Sequence, residues 1–313
     1  MNFDFFPLRF EFIAGDSLFF PPGKAANILR GALGVVFRKI ACAPDCHDAQ
    51  TCQSRQSCPY ARIFAPASDG PGPSGLADSP RPFVFRARHL DGRTISRGES
   101  FFFDLNVFTP DPEALAYFIL TFAALAREGL GPGRGKADLR RVSRLPLLHH
   151  QEQILFSGAA QMTTSVVEPV SLSLLPLPAA PDRITVEFVS PTELKHEQRI
   201  APRPEFPVLF GRIRDRISTL RRLYQDGPLE IDYQATNQRA AAVRMVDCQV
   251  RRQETERRSS HTGQTHSIGG FLGLAVYEGS LAEFIPYLEA ARWVGVGRQA
   301  VWGKGELNII PSE

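Results

Sequence analysis

The sequence predicts an α+β protein made of two tandem β-α-β-β-α-β units, the ferredoxin-like order. Three observations predict it. Apolar residues alternate with period two in short segments and recur with helical period in longer ones, in the same order in each half of the 313-residue chain. A Pro-rich stretch, "SLSLLPLPAAP", separates the halves. A glycine-dense stretch, "GVGRQAVWGKGEL" at 295–307, precedes the last strand, where residues 129–136 stand in the first half. The expected boundaries are 1–158 for the first domain, with a cysteine-rich insert at 42–58, then a linker at 159–181 and a second domain at 182–313.

Each element follows from its pattern. The first strand sets Phe6, Leu8, Phe10 and Phe12 on one face and Arg9 and Glu11 on the other. After "PPGK", the segment "AANILRGALGVVFRKIA" carries Ile28, Leu29, Leu33, Val36, Phe37 and Ile40 as an amphipathic helical stripe. "APASDGPGPSGLADSPRP" reads as a long loop, and "FVFRARHL" and "SFFFDLNVFT" read as strands. Asp111 as N-cap and Pro112 at the first helical position start the next helix. A basic strand follows it. In the second half "RITVEFVS" is a strand and "PEFPVLFGRIRDRISTLRRLY" a helix with Leu209, Ile213, Ile217, Leu220 and Leu223 inward. "AAVRMVDCQVRR" and "IGGFLGLAVYEG" are strands flanking an arginine-rich connection. "SLAEFIPYLEAARWV" is a helix, and "ELNII" is the last strand.

Composition excludes several classes. With 43% hydrophobic and 22% charged residues the chain is globular, not disordered. No apolar run is long enough to span a bilayer, and "MNFDFFPLRFEF" lacks the features of a signal peptide, so a cytoplasmic protein with no membrane partner is expected. A net charge of +3 does not by itself imply nucleic acid. The 31 arginines against five lysines suit phosphate and base contacts, although a GC-rich genome produces the same excess. Cys42, Cys46, Cys52 and Cys58 cluster, which in a reducing compartment points to structural zinc before disulfides, although the spacing lacks a C-x-x-C knuckle. Cys248 reads as a small core residue.

The glycine pairs Gly295/Gly297 and Gly303/Gly305, with Arg298 and Lys304 among them, read as an anion-binding turn. The alternative is a tight turn that closes a helix onto the sheet. The stretch is neither a Walker A loop nor a dinucleotide fingerprint. Its form, G-x-G, five residues and G-x-G, together with the "LRGALG" helix and the "CPYARIF" segment, resembles the repeat-associated RNA-binding superfamily of CRISPR systems. Within it, the order of elements looks like the members that process precursor CRISPR RNA.

The resemblance implies tandem ferredoxin-like (RRM-like) domains, CRISPR repeat RNA as partner and no cofactor for catalysis. It implies attack by a 2′-hydroxyl on the scissile phosphate, leaving a 2′,3′-cyclic phosphate and a 5′-hydroxyl. The family often keeps a histidine just after the first helix, which makes His47 the candidate base, with Arg55 and Lys39 to neutralise the phosphorane. His47 would alternatively complete a zinc site with the cysteines. The expected RNA contacts are Gly295, Gly297, Arg298, Gly303, Lys304 and Gly305, with Arg134 and Lys136 in the first-domain loop and Arg251 and Arg252 at the arginine-rich connection. Tyr60 stacks a base or packs beneath its loop, while His89 and His196 show no evident partners. A second reading is a non-catalytic RNA-binding subunit of a CRISPR effector complex.

Overall fold

The computed structural model describes residues 1–42, 46, 48–49, 51–66, 79–147, 150–158, 167–254, 256–258, 265–267 and 269–311. The fold is mixed α+β with several sheets. The chain forms two compact units, one of Asp4–Val170 and one of Met1–Phe3 with Ser171–Glu313.

In the first unit, β1 (Asn2–Ala14) is followed by α1 (Ala25–Ala41), β2 (Phe83–Arg86), β3 (Ser100–Val107), α2 (Pro112–Glu128), β4 (Ala137–Arg144) and β5 (Gln153–Ser157). The strands lie in the order β2-β3-β1-β4-β5, each antiparallel to its neighbours. The core beneath is largely phenylalanine: Phe122 of α2 sits 4.8 Å from Phe10 and 4.9 Å from Phe103, ring centre to ring centre. Burying each such ring contributes roughly 1.5–3 kcal/mol. As expected, Asp111 caps α2, accepting the Glu113 amide at 2.9 Å. The amide of Ala25 at the start of α1 is met differently, by Asp91 Oδ1 at 2.9 Å from a distant loop.

In the second unit, β6 (Arg183–Thr192), α3 (Phe206–Tyr224), α4 (Tyr233–Ala241), β7 (Arg244–Gln253), β8 (Gly270–Glu278), α5 (Ile285–Val294) and β9 (Leu307–Pro311) follow in turn. Their order is β7-β8-β6-β9, again antiparallel. Leu209, Ile213, Ile217 and Leu220 of α3 are buried as the pattern required.

The structure departs from the sequence pattern in places. Ile40 of α1 is 37% exposed, outside the buried stripe. The strand at Phe83 ends at Arg86 and gives way to a short turn of helix, Arg88–Leu90. α5 begins at Ile285, five residues later than its pattern. α4 has a weak apolar pattern and was not expected; Asp232 caps it through the Ala235 amide at 2.9 Å. Cys248 is half-buried on the edge strand β7 and so is not a core residue. A strand, Val170–Ser173, lies within residues 159–181. Among the described residues no helix is long and apolar enough to cross a membrane.

Candidate functional site

The outer face of α1 borders a cavity of the first unit. The turn of helix Tyr60–Phe64 packs against α1 at Gly34, where a Cβ would stand 2.2 Å from Phe64 Cζ. Only glycine lets the ring lie on the helix there. A cavity of about 660 Å³ results, floored by Tyr60 and Phe64, with Arg30, Arg38 and Lys39 among its walls and Cys42 and Cys46 at one end.

Its charges are held in place. The Arg30 guanidinium lies 4.8 Å from the Phe64 ring centre, and Arg81 lies 5.2 Å from it while donating to the Phe64 carbonyl at 2.6 Å. Arg38 donates to the Cys46 carbonyl at 2.9 Å. Lys39 pairs with Glu128 at 3.1 Å, yet its side chain is 60% exposed. Arg38 and Lys39 also complement the negative C-terminal end of the α1 dipole. Tyr60 stacks 5.3 Å from Phe64, and burial raises its hydroxyl pKa above the ordinary value. Cations around an aromatic floor suit a nucleotide, with phosphate on the guanidiniums and a base against the rings.

The expected catalytic residues fall unevenly on this cavity. Lys39 lines it. Arg55 does not; it is half-buried in the turn that its amide closes on the Cys52 carbonyl. His47 lies outside the described residues. Tyr60 was a candidate from the sequence, whereas Arg30, Arg38 and Phe64 were missed because only the packing of Phe64 on Gly34 brings them together.

The described residues give the expected zinc site no support. Cys42 and Cys58 approach to 3.9 Å, and burial, with the thiols of Cys58 and Cys46, pushes the Cys42 thiol up to about 12. Among the described residues no group of three or more histidine, cysteine or acidic side chains could hold a metal ion.

The glycine stretch of the second unit is tightly self-bonded. The amides of Val296, Arg298 and Gly305 donate to the carbonyls of Gly305, Glu193 and Pro191 at 2.8, 3.0 and 3.1 Å. Gly297 and Gly305 have φ of 76° and 68°. A Cβ at Gly297 would meet the Glu193 carbonyl at 2.3 Å, and one at Gly305 the Val296 carbonyl at 1.9 Å. The close approach these glycines allow is therefore that of the chain to itself. Gly295 ends α5 and Gly303 closes the following short turn, both with positive φ. Arg298 is exposed, but Lys304 is 5% exposed, so its ammonium is not on the surface that the loop presents.

Register gathers the other basic residues. Arg252, Phe271 and Thr192 lie abreast across the second sheet, and Glu193, which binds Arg298, follows Thr192. Arg251 and Arg252 thus share one end of the sheet with Arg298. In the first unit, Leu130 and Gly135 bridge, leaving Arg134 exposed at the tip and Lys136 exposed beside Asp16, which accepts its amide at 3.0 Å.

Residues 3–167 match the family model AF_1859_N, described as an N-terminal domain, and residues 186–307 match that of the CRISPR-associated endoribonuclease Cas6. No curated protein matches. Among solved structures the chain is similar to a product complex of Cas6 (TTHB231) of Thermus thermophilus, with TM-score 0.55 and 15% identity over 98% of this chain and 100% of that one. It is similar to a Cas6 (TTHA0078) product complex, with TM-score 0.54 and 16% identity over 99% and 100%. It is also similar to a partial Cas6-RT-Cas1–Cas2 complex, with TM-score 0.54 and 13% identity over 99% of this chain and 46% of that one. At these identities the likeness to solved structures is one of fold.

Proposed function

Because the chain belongs to the AF_1859_N family through residues 3–167 and matches the Cas6 endoribonuclease family through residues 186–307, we propose that it cuts precursor CRISPR RNA within its repeats, without a catalytic metal. Both units are taken as ferredoxin-like, in keeping with their shared strand order. The observation that carries the reading is the cavity beside α1, which sets Arg30, Arg38 and Lys39 around aromatic rings.

In this reading the scissile phosphate lies against Arg38 and Lys39, whose charge meets the extra negative charge of the phosphorane. The 2′-oxygen attacks phosphorus and the bond to the 5′-oxygen breaks, which leaves a 2′,3′-cyclic phosphate and a 5′-hydroxyl. His47 takes the 2′-hydroxyl proton, and the leaving oxygen acquires one. Each proton transfer is worth about 10²–10⁴-fold. Arg298, Arg251 and Arg252 in the second unit, with Arg134 and Lys136 in the first, hold phosphates away from the cut and read no sequence. Gly295, Gly297, Gly303 and Gly305 serve by shaping the loop that carries Arg298.

The test is cleavage of the cognate repeat RNA in excess EDTA by wild type, His47→Ala and Lys39→Ala, with binding measured on the same samples. A cyclic-phosphate product that is lost in His47→Ala while affinity holds supports the assignment. Cleavage by both wild type and His47→Ala moves the base elsewhere. Tight binding with no cut by the wild type identifies the non-catalytic subunit instead.

A further inference from the structure

We infer that the open face of the first sheet carries a stacking platform for an unpaired base of bound RNA, formed by His89 on Phe102 and Arg9; the choice of RNA rests on the function proposed above. Arg9 lies opposite Asp104 and Glu11 opposite Phe102, so these four side chains share one face of β1 and β3. The other face carries Phe10, Phe12 and Phe103 into the core. β1 and β3 are inner strands of the sheet, so the group stands near its middle.

The group is rigid and partly open. The Arg9 guanidinium sits 4.0 Å from the Phe102 ring centre and is fixed by two bonds to Asp104, at 2.7 and 2.9 Å. The His89 ring stacks on Phe102 at 4.4 Å and 26°, and its Nε2 lies 2.8 Å from the Phe102 carbonyl oxygen. Phe102 is half-buried and His89 exposed. An exposed flat ring held at two points is unusual for a surface side chain. It loses little entropy when a base stacks on it, and stacking accepts any base.

Its surroundings suit a nucleic-acid strand. Arg88, Arg93 and Arg97 are exposed in the same connection as His89, within reach of a backbone that runs past it. On the matching face of the second sheet, Thr185 and Glu187 stand opposite Val276 and Leu274, which offer no ring. Base stacking on an open sheet face is a general means of holding single-stranded RNA, and among the described residues it is the first unit whose open face carries the rings for it.

The experiment places 2-aminopurine at successive positions of the repeat RNA and reads its fluorescence with wild type, His89→Ala, His89→Phe and His89→Leu. Quenching at one position by wild type and His89→Phe, lost in His89→Ala and His89→Leu together with about tenfold of affinity, is the expected result. Thermal melting of each variant checks that the fold is intact. No position that distinguishes His89→Ala from wild type, or His89→Phe behaving as His89→Ala does, overturns the platform while leaving the cleavage reading standing. If the wild type binds no repeat RNA, that reading fails, and the platform is probed with single-stranded DNA carrying 2-aminopurine. Quenching there that depends on His89 upholds the platform; its absence overturns it.

Discussion

The Arg298 guanidinium meets the Glu193 carboxylate at 2.6 Å, and the Glu193 carbonyl takes the Arg298 amide at 3.0 Å. Glu193 is 4% exposed, while the Arg298 side chain is 54% exposed. One residue of the glycine stretch therefore compensates a buried charge at the end of β6. Arg298→Ala leaves that carboxylate without its cation and should lower stability by about 1–2 kcal/mol, a value discounted for the solvent around Arg298. Glu193→Gln should restore most of the loss when combined with Arg298→Ala. Urea denaturation of the two single variants and the double variant measures it.

The glycines separate in a similar way. Gly305→Ala sets a Cβ 1.9 Å from the Val296 carbonyl at a φ of 68°, and backbone on both sides must move. It should cost about 2 kcal/mol or more, through strain at a left-handed position and the disrupted turn. Gly211, inside α3, has nothing within 4 Å of its ideal Cβ. Gly211→Ala should stabilise by about 0.5–1 kcal/mol through helix propensity. Thermal or urea unfolding of the pair decides the matter.

Lys39 is shared between Glu128 and the cavity. Lys39→Ala should weaken RNA binding and lower the slope of log affinity against log salt by about one. Glu128→Gln releases the ammonium and should leave affinity equal to or above wild type. Filter binding from 50 to 200 mM salt reads both, the range over which phosphate contacts are most evident.

The Cys42 thiol gives a pH prediction. Its pKa rises from 9.0 to about 12, first by burial and then through Cys58 and Cys46. The folded state therefore favours the protonated thiol, and its stabilising effect is present below pH 9 and lost as pH climbs toward 12. Iodoacetamide labelling mapped by mass spectrometry at pH 8 should leave Cys42 largely unmodified, with labelling rising only above pH 10. Rapid labelling at pH 8 in the folded protein contradicts the burial described here.

Much of the first unit was legible in order of residues. The alternation of Phe6, Leu8, Phe10 and Phe12 gave a strand, and Asp111-Pro112 gave a helix start, because strand pleat and helix capping depend on neighbours in the chain. α4 was not legible, since its apolar face is too narrow to stand out and its place comes from packing on α3. Of the candidate site, Lys39 was found through the resemblance, whereas Arg30, Arg38 and Phe64 needed the fold. His89 showed no partner in the sequence, because its ring partner, Phe102, lies 13 residues away across a turn and on another element.

The sequence by itself determined the two runs of strand and helix and the Asp111 cap of α2, which are set within a few residues of each position. Only the tertiary structure decided which charges meet. Arg9 finds Asp104 across 95 residues and Arg298 finds Glu193 across 105. The first of these meetings depends on strand register, where a shift of one residue turns every side chain to the opposite face, and the second on where a loop folds back against a strand end.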